Sequence, residues 1–337
     1  MRLVMFELAS PTGPLRRAGA IDGDRSIVDL NLAFRSLLRQ ESVASAARIA
    51  DALVPPDLLE IIRGGERALA AAREALAYGA RAELDEIRDG RVRHRPADVR
   101  LLAPLPRPNS LRDFLVVEAH IRNARKGQEL PAEWFNMPVY YKGNVEAIYG
   151  PDDEIPWPPF TEKFDYELEV CAVIGRAGRA IKAEQAGSYV FGYTIFNDWS
   201  ARDIQRREMT VGLGPAQGKD FANSIGPCVT TADEFDLANA KLRARIDGEL
   251  WSEGTLGAMR FTFPEIIEWI SMAQTLQPGD LLGSGTVGRG CGLELDRWVA
   301  PGSVVELSVD GIGVLRNRVG QRPPGELVRN ARRSPRD

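Results

Sequence analysis

Two acids two residues apart, Glu167 and Glu169 in "DYELEVCAVIG", raise the first chemical question in this chain. Side chains two apart on a strand point to the same face, so these carboxylates repel unless a cation or basic group lies between them. A solvated edge strand could carry such a pair. Here, however, Phe164, Leu168, Val170, Ala172, Val173 and Ile174 surround it, and apolar flanks do not suit a wholly exposed strand. Asp165 adds a third acid on that face. Asp198 ends another apolar run, "YTIFND", and Asp113 sits beside a third in "LRDFLVVEAH". An Asp between a strand and a helix is commonly an N-cap; Ser200 could cap instead and leave Asp198 free to turn toward the glutamates. Four carboxylates meeting at one point would hold a hard divalent cation, with magnesium, manganese and calcium as the candidates. Spacing alone does not bring them together.

Composition narrows the chemistry. His94 and His120 are the only histidines, and Cys171, Cys228 and Cys291 are widely spaced and odd in number. A zinc site of several His and Cys ligands, or a disulfide framework, is therefore not expected, and a reducing cytoplasm fits. A net charge of -4 gives no reason to expect a nucleic-acid partner. No apolar run reaches membrane-spanning length, and Glu7 interrupts the N-terminal run too early for a signal peptide. The glycine-rich "GSGTVGRG" lacks the Walker lysine of a phosphate loop.

The elements that must position these residues read as follows. An alternating strand, "RLVMFEL", opens the chain and "SIVDL" follows as a second. Amphipathic helices are predicted over 30–38 and 66–78. The charged stretch after residue 80 reads as a surface connection, and the Pro-rich "APLPRPNS" as a linker. Beyond it strands dominate, with hairpin signals at Asp247-Gly248 and Asp310-Gly311. Short helices are predicted over 120–126, 199–208 and 264–271. The expected fold is α+β, a rolled mixed-β catalytic domain over 101–320 behind a small N-terminal α/β domain over 1–100. The tail, 321–337, is rich in Pro, Arg and polar residues and reads as flexible.

The chain resembles the fumarylacetoacetate hydrolase superfamily. The resemblance is densest in "NDWSARDIQRRE" followed by "LGPAQGKDFANSIGPCVTT", with "MPVYYKG", "DYELEVCAVIG", "TLQPGDLLGSGTV" and "CGLELD" in the family's order. It implies a β-roll fold and a divalent metal, Mg2+ first and Mn2+ or Ca2+ as alternatives, held by Asp113, Glu167, Glu169 and Asp198. It also implies an active His120 oriented by Glu294, with Lys219, Arg202 and Gln205 stabilising the charge that develops on the substrate. Arg202 and Gln205 are three apart, which suits one side of a short helix; Arg206, Arg207 and Glu208 read as its solvated face. Thr286 and Tyr141 would border the substrate, and a homodimer is expected.

That resemblance implies hydrolysis of a carbon–carbon bond in a 1,3-diketo acid or acylpyruvate, with His120 activating water. Where fumarylacetoacetate-cleaving members carry tyrosines, this chain has Leu115 and Met209, and their distal arginine is replaced in direct count by Glu129, with Arg122 and Arg125 as alternatives for its role. A more apolar acyl group than that of fumarylacetoacetate is therefore expected. Similar members instead decarboxylate, hydrate, isomerise or tautomerise oxo-acids with the same metal set. Presence of both His120 and Glu294 favours hydrolysis. An inactive scaffold would have no need for four converging acids.

Overall fold

A computed structural model describes residues 1–23, 26–81, 86–87 and 89–324; most of the tail thus lies outside the described residues. Among these, one twelve-stranded mixed sheet forms the centre. Ten strands form its path, Arg93–His94, Ser26–Asp29, Leu15–Asp22, Arg2–Leu8, Asn223–Thr231, Val190–Asp198, Leu168–Ile174, Asp280–Gly283, Ser110–Phe114, Tyr140–Lys142; off it, Arg100–Leu102 pairs with Arg2–Leu8 and Ile148–Tyr149 with Asn223–Thr231. Arg2–Leu8 pairs antiparallel with Asn223–Thr231. The N-terminal strands thus extend the same sheet that carries the acids, and the sheet is continuous across residue 100.

Strand alternation sorts the side chains into layers. Leu3 and Met5 face the helices Leu30–Gln40, Ala46–Leu53, Leu58–Arg63 and Gly65–Gly79 in one core. Val4 and Phe6 face a second core with a five-stranded sheet that includes Leu242–Ile246, Val304–Val309 and Gly313–Val319. A third core packs the helix Phe263–Ser271 against Phe114, Ala172, Ile174 and Leu282. Each fully buried Leu, Ile or Phe contributes about 1.5–3 kcal/mol relative to exposure. The helices over 46–53 and 58–63 are additions to the sequence reading; Asp57 caps the second through the Leu59 and Glu60 N–H groups.

The same alternation reaches the acids. Leu111, Cys171 and Phe196 belong to the core under the N-terminal helices. Two residues along each strand, on the same face, stand Asp113, Glu169 and Asp198. The apolar core and the acid cluster are therefore successive stretches of one sheet face.

Three local readings change. The stretch after residue 80 is not all surface: Val92 is fully buried, and Arg93–His94 pairs with Ser26–Asp29; residues 82–85 and 88 lie outside the described residues. The helix expected over 199–208 begins at Arg202, because Ser200–Ala201 pairs with Phe164–Asp165. Neither Asp198 nor Ser200 caps it, since the N-cap is Ala201 and the Ser200 hydroxyl donates to the Asp198 carbonyl.

Candidate active site

Asp113, Glu167, Glu169 and Asp198 converge. One carboxylate oxygen from each lies within 4.8 Å of the others, and all four residues are buried. Asp113 arrives on Ser110–Phe114, which runs parallel to Asp280–Gly283 and opposite Tyr141 in the next strand. Gly283 pairs with Asp113 across that ladder. A Cβ there would stand 2.5 Å from Asp113 Oδ1, so only glycine leaves the carboxylate its place. Glu167 bridges to Cys291 just before the strand that holds Glu169, and its N–H donates to Asn197 Oδ1 at 2.9 Å.

The cluster's charges are only half compensated. Glu167 accepts from Arg202 Nη2 at 2.7 Å and Lys219 Nζ at 2.5 Å. Burial would raise its carboxyl, but the two cations outweigh this and hold it below the usual range. Burial, together with the Glu167 charge, lifts Asp113 to about 6. Burial and the charges of Asp113 and Glu167 push Glu169 well up. Burial, with the same two neighbours, also raises Asp198, despite its ion pair with Lys219.

Asp113 Oδ1, Glu169 Oε2 and Asp198 Oδ1 are buried with no hydrogen-bond partner. A buried carboxylate left this way costs several kcal/mol. A divalent cation with a preference for oxygen answers all three vacant lone pairs and the mutual repulsion together, so the donor set fits the metal that the family implies.

Around this centre the other expected residues are distributed unevenly. His120, on the helix Glu118–Ala124, is bonded through Nδ1 to Glu294 Oε1 at 2.7 Å, and its Nε2 lies 3.9 Å from Glu167 Oε1. Asn123 Nδ2 and the Arg289 N–H hold the second Glu294 oxygen at 2.7 and 2.8 Å. Thr286 Oγ1 donates to Glu169 at 3.3 Å. The Tyr141 hydroxyl is buried without a hydrogen-bond partner, and burial beside the Asp198 and Asp113 charges raises its ionisation well above the ordinary.

Arg202 is engaged within the protein: Nε binds Asp165 Oδ2 and Nη2 binds Glu167 Oε1, both at 2.7 Å, and Nη1 reaches Gln205 at 3.1 Å. Asp165 does not join the cluster, because its oxygens are taken by Arg202 and by the N–H groups of Tyr166, Gly292 and Leu293. Met209 is 56% exposed at the helix end and Leu115 is half-buried. Glu208 is not simply solvated: its carboxylate accepts from the Ala216 and Gly218 N–H groups. Gly218 in turn packs on the Gln205 backbone, where a Cβ would come to 2.7 Å.

Sequence reading missed Asn123, Asn197 and Cys291 as neighbours of these groups. Asn123 was findable, one helical step of three from His120; nothing local marks the other two.

A buried tetrad of carboxylates with two cations and a His–Glu pair at its edge is a donor set that suits a divalent metal. A family model described as fumarylacetoacetate hydrolase C-terminal matches residues 110–320, and the chain belongs to this family. It is 30% identical over 305 residues to the oxaloacetate tautomerase YisK of Bacillus subtilis, covering 90% of this chain and 95% of that one. It is 32% identical over 273 residues to the mitochondrial oxaloacetate tautomerase Fahd2a of Rattus norvegicus, covering 80% and 81%. Among solved structures, a fumarylacetoacetate hydrolase from Exiguobacterium antarcticum matches with a TM-score of 0.69 at 27% identity, over 95% of this chain and 100% of that one. The α+β fold is that of the family, and no helix among the described residues is long and apolar enough to cross a membrane.

Proposed function

We propose that this protein is a metal-dependent tautomerase that interconverts the keto and enol forms of a small 2-oxo-diacid of the oxaloacetate kind. The observation that carries the reading is the disposition of His120: one ring nitrogen is held by Glu294 at 2.7 Å, and the other lies 3.9 Å from a carboxylate of the acid tetrad. A base held at one nitrogen and open at the other suits proton transfer to or from a substrate lying on the tetrad. Asp113, Glu167, Glu169 and Asp198 would hold the cation, Mg2+ first and Mn2+ next. When bound it supplies Lewis-acid polarisation of the substrate carbonyl.

His120 then takes a proton from C3 and returns one to the C2 oxygen, or the reverse. One proton moves, no carbon–carbon bond breaks and no water is consumed. Lys219 and the Tyr141 hydroxyl would face the charge that develops on the oxygen, as preorganised donors do. Arg202 and Gln205 act one step back by fixing Glu167, and Thr286 fixes Glu169. The Bacillus subtilis and Rattus norvegicus relatives, at 30% and 32% identity, are oxaloacetate tautomerases, which supports proton transfer over hydrolysis.

The second reading is hydrolysis of a 1,3-diketo acid, in which the same His120–Glu294 pair would take its proton from water. A turnover experiment separates the two. Enol oxaloacetate and an acylpyruvate are offered to protein loaded with Mg2+ or Mn2+, and decay of the enol absorbance and pyruvate release are followed. The expected result is metal-dependent loss of enol absorbance well above the buffer rate, abolished in His120→Ala. Pyruvate released from the acylpyruvate with no change in oxaloacetate tautomerisation would replace this reading with hydrolysis.

A further inference from the structure

Cys291 is a group of metal-ligating type at this site that the proposed chemistry does not use. It is fully buried, and its backbone bridges to Glu167. Its Sγ lies 3.5 Å from Glu294 Oε1, the oxygen that also binds His120 Nδ1 at 2.7 Å. One ligand atom each from His120, Cys291 and Glu294 falls within 4.8 Å of the other two. The second Glu294 oxygen is occupied by Asn123 and Arg289, which turns Oε1 toward the sulfur and the imidazole.

We infer that His120, Cys291 and Glu294 form a second, inhibitory metal site that takes a thiophilic divalent cation, Zn2+, and thereby disables the imidazole. The inference rests on the acid–base role given to His120 above. Nitrogen, sulfur and one carboxylate oxygen are the donors zinc selects, whereas the all-oxygen tetrad suits a hard cation. Tetrahedral zinc with ligands at about 2.0–2.3 Å sets its sulfur and oxygen donors about 3.6 Å apart, close to the separation already present. The imidazole must move away from Glu294 by roughly half an ångström to reach tetrahedral spacing to that oxygen, and a water could take the fourth position.

Ligation through Nδ1 moves the ring proton to Nε2, and the thiol proton leaves to solvent. Nε2 then carries a hydrogen and has no lone pair to accept a proton from substrate. Zinc at this place would therefore stop turnover without displacing the cation of the tetrad.

Co2+ serves as the spectroscopic probe, titrated into full-length protein that already holds Mg2+. A sulfur-to-cobalt charge-transfer band is expected in the unaltered protein and in the Cys171→Ala/Cys228→Ala variant, and is expected to vanish in Cys291→Ala. In the turnover assay the Zn2+ concentration for half-inhibition should rise about tenfold or more in Cys291→Ala, measured against that variant's own uninhibited rate. A band missing from the unaltered protein, a band that survives in Cys291→Ala, or equal zinc sensitivity in both proteins would overturn the inference. The band is read without substrate, so failure of the tautomerase reading would show separately as absence of turnover in zinc-free protein.

Discussion

Asp29 and Asp198 are both fully buried carboxylates at the end of a strand, and the chain treats them in opposite ways. Asp29 receives Arg17 through two nitrogens at 2.6 and 2.8 Å and caps the next helix through the Leu32 N–H at 2.9 Å. Its neighbour Asn31 is equally occupied, by Asp51, Val54 and Arg17. Asp198 keeps one oxygen without a partner, as do Asp113 and Glu169 beside it. Native proteins satisfy nearly all buried polar groups. A completed cluster therefore marks architecture, and one left open at three oxygens in the same few ångströms marks a place for something that arrives later.

Breaking the closed cluster should have the largest effect. Asp29→Asn leaves Arg17 without its charge partner and should cost about 3–5 kcal/mol in urea unfolding, with activity per folded molecule retained. A neutral result would deny that the closed cluster is structural.

The open cluster should respond in the reverse sense. Glu169→Gln should lower metal-dependent turnover about a hundredfold or more, while the metal-free protein melts higher than the unaltered one. The sign follows from the raised carboxyl: the ionised form is the costly one when folded, so stability is lost as pH rises through that range and a neutral isostere removes the loss. Added Mg2+ or Mn2+ should raise the melting temperature of the unaltered protein and leave that of Glu169→Gln nearly unchanged. A lower melting point for metal-free Glu169→Gln would show that the tetrad is stabilising as it stands, and the contrast with Asp29 would fail.

The smallest effect tests an exception on the architectural side. His94 is buried against Phe6, with Nε2 unpartnered. Burial lowers its affinity for a proton, with Asp29 opposing. Above about pH 6.5 the ring is neutral in both folded and unfolded chains; below it the unfolded chain takes the proton more readily, so stability declines. His94→Phe should remove that share of the acid-side slope in unfolding measured at several pH values. An unchanged slope would mean that the open nitrogen on this side carries no linkage at all.

Much of the site was legible because its placement along each strand is local. Glu167 and Glu169 are two apart, and Asp198 follows Phe196 by two, so backbone alternation alone puts acid after apolar residue on one face. Lys219, His120 and Glu294 came from a resemblance in motif, and the structure brings all three to the tetrad or its edge. Arg202 was read as facing substrate, yet its guanidinium is taken up by Asp165 and Glu167. The acid that claims it, Asp165, is 37 residues away in sequence, beyond anything helical spacing can report. Two short N-terminal helices escaped because eight and six residues give a helical period too few turns to register, and packing on the sheet decides them more than periodicity does.

By itself the sequence determined the strand periods, the shortage of histidine that turns metal chemistry toward carboxylates, and the glycines on which close approach depends. Tertiary structure alone decided that Ser110–Phe114 lies parallel to Asp280–Gly283, in the register that sets Asp113 over Gly283. It also decided that the first strand of the chain completes the sheet beside residues 223–231. The division has a physical cause. Alternation and turn geometry follow from bonds between neighbours, whereas partner and register are chosen by which distant apolar faces bury together, and that choice belongs to the whole chain at once.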